Sequence, residues 1–347
     1  TWSKTPIEER RQTIQGIAKI IQDNHEELYR LLTSEQGKPH EQAKGEIMGA
    51  AYMAASQATL ALDDVINEDS DARLSRTRRV PVGVVGGIVP WNFPVMMAMQ
   101  KIAPAMLSGC TIVLKPSPFT PLTTLRLAEL IKDAAPPGVV NIITGEDTLG
   151  PLITSHPDIN KITFTGSTAT GKKIMEGASK DLKRITLELG GNDASIVLPD
   201  ANVEKVAEQL FWSSFSNAGQ ICVAAKRIYI HEDIYDELSQ AIATYARTVT
   251  VGDGSQQGTG VGPIQNKKQF DRVCELIEDA KDNGYKFLVG GDVDPSGSGY
   301  YVPITILDNP PEDARIVAEE QFGPVMPLMK FSTDEEVIAR ANNSEYG

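Results

Sequence analysis

Apolar residues recur every three or four positions in the first part of the chain. This spacing predicts surface-packed helices over residues 7–32 and 42–62. Residues 63–79 are polar and alternate in character around Arg73-Leu74-Ser75-Arg76. That stretch is typical of an exposed β-hairpin or arm.

From residue 82 the pattern changes to short apolar segments separated by amphipathic ones. Strands are predicted at 83–89, 111–115, 139–142, 161–165, 185–188 and 194–198, with helices at 95–107, 123–134, 149–155 and 168–178. Further helices are predicted at 203–214, 234–248 and 268–282, and the glycine-rich stretch 284–299 is predicted as a loop. Such alternation indicates an α/β fold with a parallel sheet and right-handed crossovers.

Composition narrows the class of protein. The chain has 347 residues and a net charge of −13, which disfavours nucleic-acid binding because a phosphate backbone needs a basic surface. It has no run of 18 apolar residues, and it begins with a helical pattern instead of a signal peptide. We therefore expect a cytoplasmic protein without a membrane partner.

Cysteine and histidine usage points the same way. Three scattered cysteines do not make a disulfide framework, and four histidines show no metal-ligand spacing: Cys110, Cys222, Cys274, His25, His40, His156 and His231. We expect a metal-free protein in a reducing compartment.

Three polar residues stand in settings that suit covalent catalysis. Cys222 follows a glycine-punctuated turn in which Gly219 and Gln220 are expected to keep the backbone open. Its thiol can attack an electrophile, and Glu188, which opens a Gly-Gly turn, can activate the water that releases the product. Asn92 is bracketed by two prolines that fix its amide, as an oxyanion donor requires. Taken singly, the three residues also suit a buried thiol, a strand-end charge and an ordinary turn.

These motifs, in this order, resemble the NAD(P)-dependent aldehyde dehydrogenase superfamily. They are Pro90-Trp91-Asn92-Phe93-Pro94, Phe164-Thr165-Gly166-Ser167, Glu188-Leu189-Gly190-Gly191, the stretch 215–224, and Glu319-Glu320-Gln321-Phe322-Gly323-Pro324. The resemblance implies that Cys222 is the nucleophile, which forms a thiohemiacetal and then a thioester. It implies that Glu188 is the base for thioester hydrolysis, a role best served by a poorly solvated tunnel, and that Asn92 binds the oxyanion.

The resemblance also implies a dinucleotide site, although no G-x-G-x-x-G follows the first strand. After the strand at 161–165, Gly166 and Ser167 open a helix whose N–H groups and hydroxyl suit a phosphate. The expected cofactor contacts are Pro90, Trp91, Lys115, Ser117, Gly150, Thr165, Gly166, Ser167, Leu189, Gly190, Glu320 and Phe322. Pro118 stands where NAD-preferring relatives carry a glutamate, so NAD and NADP both stay open, with NAD slightly favoured.

The implied substrate tunnel is largely apolar. Its expected lining residues are Phe93, Met97, Gln100, Trp212 and Ser216. Relatives that oxidise succinate semialdehyde carry arginines where this chain has Gln100 and Ser216. Without a guanidinium a carboxylate would be desolvated and gain no bidentate partner, so the expected substrate is an uncharged aliphatic or aromatic aldehyde.

By resemblance, residues 1–62 and 81–187 form a doubly wound dinucleotide-binding domain, 63–80 an oligomerisation arm, and 188–347 an incomplete catalytic domain. Family members extend beyond both ends, so the chain is expected to be truncated, and a homodimer or homotetramer is expected at full length. A catalytically impaired fragment or structural relative is the alternative. A cysteine hydrolase would need a histidine partner for the thiol, and no histidine falls in a motif.

Overall fold

The protein divides into two compact units. A computed structural model describes residues 2–346. The first unit comprises the residues up to 35 together with 43–189, and the second comprises 36–42 together with the residues from 190 onward. Two boundaries expected from the sequence are thereby corrected, because residues 36–42 lie with the second unit and residues 188–189 with the first.

Through residue 189 the chain alternates helices and short strands. The helices are α1 Ile7–Asp23, α2 His25–Gln36, α3 His40–Gln57, α4 Pro94–Leu107, α5 Leu122–Ile131, α6 Leu149–Ser155 and α7 Thr168–Ser179. The strands are β1 Val65–Asp69, β2 Leu74–Thr77, β3 Val84–Ile88, β4 Thr111–Lys115, β5 Val140–Ile142, β6 Lys161–Thr165 and β7 Arg184–Glu188. Strands β1 and β2 form an antiparallel pair, as the pattern of residues 63–79 predicts.

Two predicted helices differ from the structure. Residues 7–32 form two helices, because Asn24 ends α1 by donating its side-chain amide to the carbonyl of Ile20 at 2.8 Å. Helix α3 stops at Gln57 and not at residue 62, where hydrogen-bonded turns replace the helix. Amphipathic spacing continues across both points, so it does not report these interruptions.

The first unit is built on a five-stranded sheet in the order β5-β4-β3-β6-β7, with every neighbouring pair parallel. The chain runs outward from β3 to β4 and β5, then returns to the other side of β3 to form β6 and β7. This reversal places a topological switch point between β3 and β6, where α/β proteins commonly bind ligands at the carboxyl ends of the strands. The predicted α/β class with a parallel sheet is confirmed.

The residues from 190 onward also alternate between helices and strands. Its helices are α8 Val203–Phe215, α9 Glu232–Ala246, α10 Lys267–Asp282, α11 Arg315–Ala318 and α12 Asp334–Asn342. Its strands are β8 Asp193–Val197, β9 Ala225–His231, β10 Thr250–Val251, β11 Thr259–Val261, β12 Lys286–Val289, β13 Thr305–Asp308 and β14 Val325–Phe331. The main sheet has the order β12-β13-β14-β9-β8, and β12 alone runs antiparallel to its neighbour.

The stretch 284–299 was predicted as a loop, and this prediction is wrong in part. Strand β12 lies within it, where Phe287 pairs with Leu307 of β13. Glycines flank this strand of four residues and its pairing partner is distant in sequence, so the local pattern did not indicate a strand.

Among residues 2–346, none of the helices combines the length and the apolar character of a bilayer-spanning segment. The same residues contain no group of three or more His, Cys, Asp or Glu side chains placed to hold a metal ion.

Candidate active site

The carboxyl ends of the parallel strands in the first unit carry most of its predicted site residues. Asn92 follows β3, Lys115 ends β4, Thr165 ends β6 and Glu188 ends β7. All four strands are neighbours in one parallel sheet, so these residues lie at the same edge.

A buried carboxylate holds the chain just after Asn92. Asn92 is buried, and the next residue, Phe93, precedes helix α4 without a side-chain cap of its own. The buried carboxylate of Glu46 replaces that cap by accepting the backbone N–H groups of Val95 and Met96 at 3.0 and 3.3 Å. A buried carboxylate is also favoured at this position by the helix dipole.

A cavity of about 480 Å³ in the first unit is lined by Glu188, Gln100 and Lys101, together with residues of β6 and β7. Glu188 is exposed. The first unit by itself therefore leaves Glu188 more solvated than the setting that would serve its predicted role best. Gln100, predicted in the substrate tunnel, faces the same cavity as the predicted base.

Lys101 is a buried cation in this cavity that the sequence analysis missed. Its ammonium donates to the hydroxyls of Thr165 at 2.8 Å and Thr163 at 3.4 Å. Burial lowers the pKa of Lys101 to about 8, and the charge of Glu188 opposes the shift. The cavity thus holds a lysine that loses its proton more readily than an ordinary lysine does.

The predicted phosphate-binding turn is internally hydrogen-bonded. Thr165 accepts from Lys101, the N–H of Gly166 donates to the carbonyl of Glu188 at 3.0 Å, and the hydroxyl of Ser167 caps helix α7 by accepting from Thr170 N–H at 3.3 Å. The Gly166 N–H and the Ser167 hydroxyl therefore have partners within the turn, and their role in phosphate binding stays a prediction.

Lys115 fits a ligand-binding role better. Its side chain is buried at the end of β4, and its ammonium makes one long hydrogen bond, 3.5 Å to the carbonyl of Pro116. Burial lowers the pKa of Lys115, against the charge of Asp147. A buried ammonium with remaining donor capacity suits the hydroxyls of a ribose. Ser117, also buried, accepts the N–H of Phe119 at 3.3 Å.

The other predicted residues of the first unit have mixed surroundings. Half-buried side chains are found at Pro90, Trp91, Phe93, Met97 and Leu189, and Gly150 lies in α6. The carbonyl of Trp91 accepts from the buried hydroxyl of Thr120 at 3.2 Å, which fixes the loop before Asn92.

In the second unit, Cys222 follows a strained turn. Three consecutive residues, Asn217, Ala218 and Gly219, have φ values of 52°, 55° and 70°. Alanine adopts this left-handed conformation at a cost of roughly 1–2 kcal/mol, asparagine tolerates it better, and such strain concentrates at functional sites. A Cβ atom on Gly219 would lie 2.1 Å from the carbonyl oxygen of Gly323, so close packing also requires glycine there.

Glutamine side chains hold the turn in place. Gln220, almost fully buried, donates to the carbonyl of Asn217 at 2.8 Å and accepts the N–H of Gln265 at 2.9 Å. Gln42 accepts the N–H of Asn217 at 2.7 Å and donates to the carbonyl of Gly260 at 2.9 Å. Gln220 therefore locks the backbone that it was expected to keep open.

Cys222 itself is half-buried, and its carbonyl lies against a charged pair. Lys226 donates to this carbonyl at 2.6 Å, and its ammonium lies 3.5 Å from a carboxylate oxygen of Glu320. That carboxylate also accepts the N–H of Gly191 at 3.2 Å. A Cβ on Gly190 would lie 2.3 Å from Glu320, so the Gly-Gly turn permits this approach.

The other predicted residues of the second unit pack internally. Trp212 donates to the hydroxyl of Tyr245 at 2.9 Å and stacks edge-on against Phe211. Ser216 donates to the carbonyl of Trp212 at 2.5 Å. Phe322 has φ 49° and its carbonyl accepts from Gln269 at 3.1 Å.

Three charged side chains next to the predicted site were missed. Glu46 lies at the helical spacing of the buried residues Ala43 and Ala50, Lys101 interrupts the apolar helix α4, and Lys226 is the second residue of the apolar strand β9. A charge within an apolar pattern was the available signal, since such charges are seldom buried without a partner.

Comparison with known proteins gives concordant matches over the whole chain. A family model described as "Aldehyde dehydrogenase family" matches residues 1–347. A "Probable aldehyde dehydrogenase" from Pseudomonas sp is 45% identical over 348 residues, covering 100% of this chain and 71% of that protein. "Succinate-semialdehyde dehydrogenase [NADP(+)] GabD" from Escherichia coli (strain K12) is 39% identical, covering 100% of this chain and 73% of that protein.

A solved structure agrees with these matches. The "NAD+ complex structure of aldehyde dehydrogenase from bacillus cereus" superposes with a TM-score of 0.96 at 39% identity. The match covers 100% of this chain and 72% of that one.

Proposed function

Because the chain belongs to the aldehyde dehydrogenase family, we propose that Cys222 is its nucleophile, Glu188 its general base and Asn92 its oxyanion donor. The protein oxidises an aldehyde with NAD(P). The observation that carries the assignment of Cys222 is the strained turn at Asn217–Gly219, which the buried Gln220 and the half-buried Gln42 hold in place shortly before the thiol. Stored backbone strain with this much support is characteristic of a residue whose position matters for chemistry.

In the proposed mechanism the Cys222 sulfur forms a bond to the aldehyde carbon, and the carbonyl π pair moves to oxygen. The Asn92 amide donates a hydrogen bond to that oxyanion. Loss of hydride from the same carbon restores the C=O bond and leaves a thioester on Cys222. Glu188 then removes a proton from water as the water attacks the thioester, and Cys222 leaves as a thiolate while the carboxylic acid departs.

A bound nicotinamide dinucleotide supplies the hydride acceptor. Lys115 is proposed to donate to its adenosine ribose, a role supported by the remaining donor capacity of its buried ammonium. Glu320 and Phe322 are proposed to contact the nicotinamide ribose and ring. Pro118 is exposed and uncharged, so it neither attracts nor repels a 2′-phosphate, and both NAD and NADP stay in the proposal.

The proposed substrate is an uncharged aliphatic or aromatic aldehyde. Gln100 and Ser216 are neutral, and the Ser216 hydroxyl is used within its own helix end. The cavity of Gln100 also contains cations: Lys101 donates to Thr165, Lys161 donates to Thr186 at 2.6 Å, and Arg184 of β7 lies at the cavity wall. At positions 100 and 216 themselves a carboxylate would lose water without gaining a bidentate partner.

The role of Cys222 is tested by Cys222→Ala, with Cys274→Ala as the matched control. Cys274 is half-buried on α10 in the same unit. We expect Cys222→Ala to abolish NAD(P)H formation while cofactor binding by fluorescence titration stays nearly unchanged, because the thiol supplies chemistry and not dinucleotide contacts. Cys274→Ala should keep parent turnover. Parent activity in a well-folded Cys222→Ala protein would refute the proposal.

The substrate class is tested by kcat/KM for hexanal, benzaldehyde and succinate semialdehyde. We expect both uncharged aldehydes to exceed succinate semialdehyde by more than about tenfold, which corresponds to a modest part of the cost of desolvating a carboxylate. A preference for the anionic substrate would refute this part of the proposal.

Cytoplasmic location, no nucleic-acid partner, and assembly of the full-length protein into a homodimer or homotetramer complete the proposal. The net charge of −13 supports the second point. Light scattering after size exclusion measures the assembly state directly.

A further inference from the structure

Lys226 is the first buried charge after Cys222 in the chain. It lies on β9, is 3% exposed, and donates to the backbone carbonyl of Cys222 at 2.6 Å. Lysine is almost never buried to this degree unless a charged or polar partner compensates the lost hydration.

The compensating partner is Glu320, whose carboxylate oxygen lies 3.5 Å from the ammonium. Burial lowers the pKa of Lys226, and the charges of Glu320, Asp193 and Cys222 oppose this shift. Burial raises the pKa of Glu320, and Lys226 opposes that shift in turn. The carboxylates of Glu320, from the loop after α11, and of Asp193, from β8, are thus the charged groups that face this lysine.

A buried ion pair often stabilises a protein no more than an apolar pair of similar volume would, because burial removes the hydration of both charges. The position of this pair suggests what the charge does. A hydrogen bond from an ammonium fixes the Cys222 carbonyl more firmly than a neutral donor would. An ammonium that is hydrogen-bonded to the Cys222 carbonyl also lies close to the thiol of the same residue, where its positive charge favours the thiolate, the nucleophilic form.

We propose that Lys226 is a positioning residue for the nucleophile: its ammonium fixes the main chain at Cys222 and favours the Cys222 thiolate. The proposal rests on the proposed role of Cys222. It assigns a second task to Glu320, which keeps the Lys226 ammonium charged and directed at the Cys222 carbonyl.

The test measures alkylation of Cys222 by iodoacetamide between pH 5.5 and 10, followed by peptide mass spectrometry. Cys274 in the same molecule serves as the internal reference. In Lys226→Met we expect the alkylation rate of Cys222 at pH 7 to fall about tenfold and its pH midpoint to rise by about one unit, since one unit of pKa is a factor of ten in thiolate. Lys226→Arg, which keeps the charge, should restore the rate to within about threefold.

The matched control is Lys286→Met, which removes another lysine–carboxylate pair of the second unit, with Asp308 at 2.6 Å, and should leave Cys222 alkylation unchanged. A folded Lys226→Met protein with the parent pH profile would overturn the proposal. If Lys226→Met does not fold, Glu320→Gln decides. It removes the carboxylate that keeps the ammonium charged and directed at the Cys222 carbonyl, so Cys222 should alkylate more slowly than in the parent, and alkylation at the parent rate or faster would overturn the proposal.

The alkylation readout separates this proposal from the proposed function. Complete alkylation of Cys222 in the parent protein should abolish aldehyde oxidation. Activity that survives it would refute the nucleophile assignment, whereas the effect of Lys226 on thiol reactivity would be measured regardless.

Discussion

Replacing Gly219 by alanine should move the turn before Cys222. Gly219 has φ 70°, and a Cβ atom there would lie 2.1 Å from the carbonyl oxygen and 2.6 Å from the carbonyl carbon of Gly323. Both neighbours are backbone atoms, which cannot rotate away as a side chain could. The turn and the loop at Gly323 must therefore separate by about 1 Å to restore ordinary contact.

The expected loss in the free energy of unfolding has a backbone part and a close-contact part. The left-handed backbone costs alanine about 1–2 kcal/mol, and the lower entropy of the unfolded alanine chain returns about 0.4–1 kcal/mol of it. The enforced separation adds about 1–3 kcal/mol, as overpacking does elsewhere. We expect the free energy of unfolding to fall by about 2–4 kcal/mol in total. A displacement of about 1 Å at the nucleophile should also lower kcat/KM about 100-fold.

The matched control is Gly284→Ala. Gly284 follows α10 in the same unit with φ 72°, but a Cβ there meets no atom within 4 Å. It should lose only the backbone part, about 1 kcal/mol, and keep parent kcat/KM. Urea unfolding and NAD(P)H absorbance measure both quantities for both variants. Equal losses of stability in the two variants, with unchanged kcat/KM in Gly219→Ala, would refute the argument from close contact.

Three further predictions concern the first unit. Glu188→Gln should slow thioester hydrolysis and leave a burst of reduced cofactor in stopped flow, and unchanged steady-state turnover would contradict its role as base. Pro118→Glu should shift the ratio of kcat/KM values away from NADP by charge repulsion, and an unchanged ratio would show that position 118 is not deciding. Burial lowers the pKa of Lys101 to about 8, so between about pH 8 and 10.5 the unfolded chain binds more protons than the folded protein does. As the pH rises across that window, the free energy of unfolding of the parent should therefore increase by up to about 3 kcal/mol relative to that of Lys101→Met. If the urea midpoints of these two proteins change by the same amount between pH 7.5 and 10, that result would contradict the burial of a charged lysine.

The sequence predicted the first unit well because local signals and tertiary structure agree there. The strand at 161–165 and the helix at 149–155 match β6 and α6 to the residue, since each is an apolar or amphipathic segment bounded by turns. The break at Asn24 depends on one side-chain hydrogen bond, and β12 depends on a partner strand after it, so periodicity did not predict either.

The site shows the same division. Asn92, Glu188 and Cys222 stand in motifs that can be read locally, and their roles stay predictions. The apolar neighbours of Glu46 and Lys226 indicate that both are buried, but their partners Val95 and Glu320 are distant in sequence, and no local pattern indicates them. Buried charges are specified by pairing across the fold, which sequence spacing does not encode.

The membership of residues 36–42 in the second unit has a consequence for synthesis on the ribosome. This segment emerges early, yet its partners come much later: His40 donates its N–H to the carbonyl of Gly254 at 3.1 Å, and Gln42 binds Asn217 and Gly260. The turn before Cys222 therefore cannot be completed until residue 260 has left the exit tunnel. A separately expressed piece that begins at residue 190 would lack the hydrogen bonds that Gln42 makes to Asn217 and Gly260. A circular permutant that displaces residues 36–42 would lack them as well.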